Sequence, residues 1–246
     1  MKAILPVAGY GTRLYPLTLN KAKALLEVKG KPMLEHVLGR LIEMGVKEAL
    51  VVSNEKFAND FGVWAKSFPQ KNKIKVKVVN DRTSTNETRL GQIGDIDLAL
   101  KEHNIDDDII IIAGDNIFNF SLKRAMDKFR ETNEIVNVLY DLKSTELARE
   151  FGVVETNEDM TVKGFEEKPN SPKTTFISTG IYVLPKKAIE WMRTYLREGN
   201  SPDKMGEFLE WAVKRGHPIH AIVHAERWFD IGNKEALDEA RENYGV

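Results

Sequence analysis

The sequence predicts an α/β fold, a Rossmann-like three-layer α/β/α arrangement around a mostly parallel mixed sheet, and three observations carry that reading. Short β-rich runs alternate with longer segments of helical period through the first half of the chain. The run Ile109 to Ile112 has no polar alternation, as a central strand buried on both faces requires. Two glycines, Gly9 and Gly11, stand directly after the first strand, where the chain must turn away from the sheet. A strand, a crossover helix and a second strand give parallel pairing with helices on both faces.

Taken in order, Ala3–Val7 reads as a strand, Met33–Met44 as a helix, Glu48–Ser53 as a strand and Asn54–Lys66 as a helix. Ile74–Val79 is the next strand, Ile93–His103 a helix and Asp108–Ala113 a strand. This last strand brings Ala113-Gly114-Asp115-Asn116 to the carboxyl edge of the sheet, where ligands of open α/β sheets bind. After about residue 140 the strands shorten to Gly152–Glu155, Thr161–Glu166 and Ile177–Leu184, separated by polar turns, and a second lobe is expected. Lys186–Arg197 and Met205–Arg215 read as helices and Ile219–His224 as a strand. Lys234–Asn243 is the closing amphipathic helix, with Asn233 as its N-cap.

The 246 residues, 42% hydrophobic and 30% charged, suit one sizeable globular domain with a real core. With 36 Lys and Arg against 37 Asp and Glu, the net charge of −1 supplies no global field for nucleic acid, so any polyanion site must be local. The absence of cysteine excludes disulfides, thiolate metal sites and a cysteine nucleophile. The apolar run at the start is too short for a signal segment, and no stretch is apolar for the roughly 18 residues a membrane span needs. A cytoplasmic protein with no membrane partner is the expectation. The five histidines show no metal-ligand spacing tied to an acid cluster and are assigned no role.

Gly9-Tyr10-Gly11-Thr12-Arg13 can turn successive N–H groups toward one anion. It is not a dinucleotide fingerprint, because Leu14 occupies the last glycine position, and it is not a P-loop, because Thr12-Arg13 follow the second glycine. Arg13, Lys21 and Lys23 cluster after the turn, and such a cation cluster suits a triphosphate. Asp115 is placed to hold a hard divalent cation such as Mg2+ through oxygen. Asp230, flanked by bulky apolar residues in Trp228-Phe229-Asp230-Ile231-Gly232, is a second candidate acid.

Gly9-Tyr10-Gly11-Thr12-Arg13-Leu14, then Pro16, Thr18 and Lys23-Ala24-Leu25-Leu26, resemble the signature of the sugar-1-phosphate nucleotidylyltransferases, the enzymes that make nucleotide sugars. That family has Pro-Lys where this chain has Ala22-Lys23, and spacing from Arg13 favours Lys23 over Lys21. The stretch around Asp230 is similar to the family's late Trp-x-Asp-Ile-Gly motif, with Asn233 where the family has Thr. Phe165-Glu166-Glu167-Lys168-Pro169 resembles its Glu-Lys-Pro motif. Glu150-Phe151-Gly152-Val153-Val154 and Ser178-Thr179-Gly180 are weaker matches, and Ser178 stands where Asn is frequent. The resemblance runs from residue 2 to about residue 243.

The resemblance implies a single domain over 1–246, with a nucleotide-binding lobe to about 118, a sugar-phosphate-binding lobe over about 119–232 and a C-terminal helix in 233–246. It implies Mg2+-dependent transfer of a nucleotidyl group from an NTP to a sugar-1-phosphate such as glucose-1-phosphate. Arg13 would stabilise the departing β- and γ-phosphates, Lys23 the α-phosphate, and Asp115 and Asp230 would carry Mg2+. Nucleotide contacts would come from Ala8, Gly9, Gly11, Thr12 and Gly114, and from Leu90 and Gly91 in the base-recognition segment. Gly152, Glu167, Lys168 and Thr179 would meet the sugar and its phosphate. Gln92-Ile93-Gly94-Asp95 replaces the usual small residues after Leu90-Gly91, which leaves the base open. The competing readings are a cytidylyltransferase for a non-sugar phosphate such as phosphocholine and a non-catalytic regulatory subunit. A homo-oligomer is compatible with the sequence, and a single activity without C-terminal repeats is expected.

Overall fold

The computed structural model describes residues 1–245; Val246, the last residue of the expected closing segment, lies outside them. β1 (Lys2–Pro6) leads through two single-turn 3-10 segments, Thr12–Leu14 and Lys23–Leu25, into a small hairpin of β2 (Glu27–Val28) and β3 (Lys31–Pro32). The alternation continues with α1 (Met33–Glu43), β4 (Glu48–Ser53), α2 (Ala58–Ser67), β5 (Lys75–Asn80), α3 (Gln92–Glu102) and β6 (Ile109–Ile112). Then follow β7 (Asn116–Phe118), α4 (Lys123–Thr132), β8 (Ile135–Asp141), the short α5 (Thr145–Ala148), β9 (Gly152–Thr156), β10 (Val162–Glu167) and β11 (Phe176–Leu184). α6 (Lys186–Arg197), α7 (Met205–Lys214), β12 (Ile219–His224), β13 (Trp228–Asp230) and α8 (Lys234–Asn243) complete the chain.

Nine strands form one mixed sheet. β1 lies between β4 and β6, parallel to both, and β5 extends the parallel half beyond β4. β11 turns the direction: it is antiparallel to β6 and to β8, and β12 adds parallel to β8. The β9–β10 hairpin joins at the start of β11 through the pair Ile177 and Val153.

Alternation along the strands divides the core into two layers. Ala3, Leu5, Val51, Ile110 and Ile112 pack with Leu38 and Leu41 of α1, Phe61 of α2 and Phe129 of α4. Ile4, Val52, Ile109 and Ile111 pack on the other face with Ile96 of α3, Met192 of α6 and Phe208 of α7. All four isoleucines of β6 are fully buried. Each is worth roughly 2 kcal/mol against exposure, which is why this strand carries no polar position. The structure is therefore the three-layer α/β/α arrangement expected.

α4 and β8 are elements that the sequence pattern does not announce. Only Ala125, Met126 and Phe129 of α4 are buried in an otherwise charged segment. In β8, Asn137 breaks the apolar run at a fully buried position, where its Oδ1 accepts from the Ser178 hydroxyl at 2.9 Å. α2 starts at Ala58 rather than Asn54 because the Asn54 side chain closes a turn, accepting from the Phe57 N–H at 3.1 Å. At the other end of the chain Asn233 caps α8 as expected, accepting from the Ala236 N–H at 2.8 Å. Among the described residues no helix is long and apolar enough to cross a membrane.

Candidate active-site cleft

The carboxyl ends of β1 and β6 open onto a cleft of about 540 Å³, a volume suited to a nucleotide-sized ligand. Its first wall is the loop after β1. Gly11 takes the left-handed conformation, φ 60°, that its lack of a side chain allows, and its carbonyl accepts from the Thr18 hydroxyl at 2.7 Å. The Ala8 carbonyl is fixed from behind by the fully buried Asn54, whose amide donates to it at 2.7 Å. Tyr10 donates its hydroxyl to the Thr83 carbonyl at 3.1 Å, tying the loop to the segment after β5. Ala8, Gly9, Gly11, Thr12 and Arg13 all line the cleft as a result.

The two candidate acids come together through a second, two-stranded sheet. β13 pairs antiparallel with β7, setting Asp230 opposite Asn116, and the Ile231 N–H bonds the Asp115 carbonyl at 3.1 Å. Burial first and the charge of Asp115 second push the Asp230 carboxyl up to about 6, against the attraction of Lys23, Arg13 and Lys168. Lys23 reaches Asp115 with Nζ to Oδ2 at 3.1 Å. A Cβ on Gly232 would stand 3.7 Å from Asp230 Oδ2 and 3.8 Å from Arg13 Nη1, so the acid and the guanidinium flank the same glycine. Lys21 instead pairs with Glu27 at the surface, at 3.6 Å.

Glu167, which also lines the cleft, closes β10 with its carboxylate wedged between two glycines. A Cβ on Gly152 would lie 3.1 Å from its Oε2, and one on Gly206, in the first turn of α7, 2.8 Å. Lys204 approaches the other oxygen at 3.4 Å. Lys168, beside it, is exposed.

The remaining wall is the start of α3. Gly91 precedes it with φ 80°, and a Cβ there would lie 2.6 Å from the backbone of both Pro202 and Asp203. Those two residues take the first free N–H groups of the helix: Gln92 donates to the Asp203 carbonyl at 3.0 Å and Ile93 to that of Pro202 at 2.8 Å. Arg89 holds the same segment with a two-pronged pair to Asp203, at 3.1 and 3.0 Å.

Asp95, on the first turn of α3, lines the cleft with only 5% of its surface exposed. Burial first and Asp81 second push its carboxyl from 3.8 up to about 8. Between those values the unfolded chain has released its proton while the folded chain retains one, so this group lowers stability as pH rises, by roughly 1 kcal/mol or more per pH unit. Asp95→Asn removes the titrating group. It is expected to melt above the parent protein at pH 8 and to converge on it below pH 3.8, as followed by circular dichroism.

Of the residues expected at the site, Leu90, Gly152, Lys168, Thr179 and Asp230 do not line the cleft itself, although Asp230 lies within charge range of Asp115, Lys23, Arg13 and Lys168. Thr179 is buried in the irregular part of β11 and donates its hydroxyl to the Val138 carbonyl at 2.8 Å. Leu90 faces a smaller recess shared with Glu87 and Pro202, while its neighbour Gly91 lines the cleft. Gly114 lies on the cleft floor beside Asp115, and Gly152 supports Glu167 from beneath. Sequence reasoning missed Asn54, Asp81, Asp95, Lys204 and Gly206. Asp95 left one signal: an acid between Ile93 and Ile96 on a helix whose buried face they define.

A family model described as nucleotidyl transferase matches residues 2–245. The UTP-glucose-1-phosphate uridylyltransferase of Haloferax volcanii is 27% identical, covering 98% of this chain and 96% of its own length. The glucose-1-phosphate thymidylyltransferase of Neisseria meningitidis serogroup A is 28% identical, over 98% of this chain and 81% of that protein. Among solved structures, a UDP-glucose pyrophosphorylase complexed with UDP-glucose superposes with a TM-score of 0.82 at 20% identity, covering 99% of this chain and 97% of that one. That likeness establishes the fold, and the family match rests on the sequence over nearly the whole chain. The chain belongs to the nucleotidyl transferase family.

Proposed function

We propose that the protein transfers a nucleotidyl group from a nucleoside triphosphate to a sugar-1-phosphate, with glucose-1-phosphate as the first candidate, releasing pyrophosphate. The observation that carries this reading is the clustering of Arg13, Lys23, Asp115 and Asp230 at a cleft that Glu167 also lines. The names of the uridylyl- and thymidylyltransferase relatives support it.

The attacking group is an oxygen of the sugar phosphate, already anionic near neutral pH, so no general base is required. Its attack on the α-phosphorus forms a new P–O bond as the bond to the β-phosphate oxygen breaks, and the electron pair leaves with pyrophosphate. The chain's own contribution is placement and charge neutralisation. Arg13 faces the leaving phosphates, Lys23 the α-phosphate, and Lys168 the incoming phosphate. Glu167, held between two glycines, accepts hydrogen bonds from sugar hydroxyls.

Asp115 and Asp230 fit Mg2+: both are hard oxygen donors that would hold the cation, whose charge would offset the burial and the Asp115 repulsion that raise Asp230. No cluster of three or more His, Cys, Asp or Glu surrounds them among the described residues, which suits an ion that takes its other ligands from phosphates and water. When bound, Mg2+ supplies neutralisation of charge on the phosphate oxygens.

The phosphocholine alternative needs an aromatic cage. Among the described residues lining the cleft, Tyr10 is the one aromatic side chain, and its hydroxyl is engaged with Thr83. The test is a matrix of nucleoside triphosphates against sugar-1-phosphates with Mg2+, following pyrophosphate release. Turnover with at least one hexose-1-phosphate is expected; turnover with phosphocholine and with no sugar phosphate overturns the reading.

A further inference from the structure

Gly91 and Glu167 line the cleft from different elements, and one short segment, residues 202–206, touches both. Across it the starts of α3 and α7 cap each other. The carbonyls of Asp203 and Pro202 accept from the Gln92 and Ile93 N–H groups, at 3.0 and 2.8 Å. The Gln92 side chain returns the bond, its Oε1 accepting from the Met205 N–H at 3.3 Å. This exchange gives a task to Gln92, which stands where the family signature has small residues.

The segment meets both oxygens of the Glu167 carboxylate. Lys204 Nζ lies 3.4 Å from Oε1, and a Cβ on Gly206 would lie 2.8 Å from Oε2. On its other side a Cβ on Gly91 would stand 2.6 Å from the backbone of Pro202 and Asp203, so there is no slack toward α3. Tyr195 of α6 donates its hydroxyl to the Ser201 carbonyl at 2.8 Å and fixes the approach to the segment. The one side-chain clamp across to the residues before α3 is Asp203, which takes the Arg89 guanidinium at 3.1 and 3.0 Å. Both side chains are partly exposed, so the pair adds little to global stability. Its two-pronged geometry acts instead on where the segment sits.

Resting on the nucleotidyl-transfer reading, we propose that Asp203, clamped by Arg89, is a positioning residue for both substrates. Toward α3 it sets Gly91 against the nucleotide; toward α7, through Lys204 and Gly206, it sets the carboxylate of Glu167 that meets the sugar. The groups assigned to the reacting phosphates stand elsewhere: Arg13 and Lys23 on the two 3-10 turns, Asp115 after β6 and Asp230 on β13. A displaced segment therefore weakens the binding of both substrates and leaves the chemical step largely intact, the pattern of lost uniform binding. A residue that only touched the nucleotide would leave sugar-phosphate affinity unmoved.

Steady-state pyrophosphate release with the best nucleoside triphosphate and sugar-1-phosphate of the parent protein tests this, on Asp203→Ala, Arg89→Ala and the double variant, with melting as the control for folding. Each single variant is expected to raise KM for both substrates about fivefold or more while kcat stays within about threefold. The double variant should be no worse than the worse single one, because both remove the same pair. An unchanged KM for either substrate in a folded Asp203→Ala overturns the proposal, as does a loss confined to kcat. So does Arg89→Ala raising the nucleotide KM alone with additive losses in the double variant, which would make Arg89 a direct nucleotide contact. Should Asp203→Ala fail to fold, the sugar-phosphate KM of Arg89→Ala decides. Parent turnover with no sugar-1-phosphate overturns the transfer reading and this one with it, whereas parent turnover with unmoved KM values overturns only the role of Asp203.

Discussion

Asp230→Asn is expected to lower kcat by about a thousandfold, roughly 4 kcal/mol of barrier, with both substrates and Mg2+ saturating. The two acids come from β13 and from the turn between β6 and β7, and the β7–β13 pairing fixes them as neighbours. Asn keeps the shape of the side chain and loses the charge that a hard cation needs. The fold should not suffer. The Asp230 carboxyl is already raised to about 6 by burial and by Asp115, so removing its charge relieves repulsion, and the variant should melt at or above the parent temperature at neutral pH. Loss of activity with loss of stability would mean the residue is structural. A rate within tenfold of wild type would remove Asp230 from the catalytic set. Asp115→Asn provides the companion measurement, with the added consequence that Lys23 loses the carboxylate it meets at 3.1 Å.

How much of this was legible in the sequence depends on whether a residue's surroundings are local. The strands and helices of the first half are locally consistent, and the unbroken run Ile109 to Ile112 alone marks the centre of the sheet. The cation cluster after Gly11 is also local, because Arg13 and Lys23 reach the cleft from the same short stretch as the turn itself. β8 was hidden because Asn137 breaks its pattern, and the residue that donates a hydrogen bond to it, Ser178, comes from a strand the sequence does not adjoin. Thr179 reads like a ligand on a sugar-side strand, yet the irregularity in β11 spends its hydroxyl on Val138. Asp95 left only the hint of an acid between Ile93 and Ile96, since its burial beside Asp81 is a property of the packed cleft.

A paired substitution separates the two lysines that the motif leaves adjacent. Lys23→Met is expected to lower kcat by about a hundredfold to a thousandfold, the range found when one preorganised charge partner of a developing oxyanion is lost. Lys21→Met should stay within about twofold, since an exposed pair such as Lys21 with Glu27 contributes little. The structural contrast supports this difference. The Lys23 side chain retains 16% of its exposure and points at Asp115, while that of Lys21 retains 48% and points at Glu27. Met preserves the aliphatic stem, so the 3-10 turn Lys23–Leu25 and its buried Ala24 and Leu25 should hold, and the melting temperature serves as the control. Lys23→Arg should recover only part of the rate, because a planar guanidinium cannot take the place of a compact ammonium wedged against one carboxylate oxygen. Equal losses in the two Met variants would transfer the catalytic role to the loop as a whole, and a loss confined to Lys21→Met would reverse the assignment that spacing from Arg13 supplies.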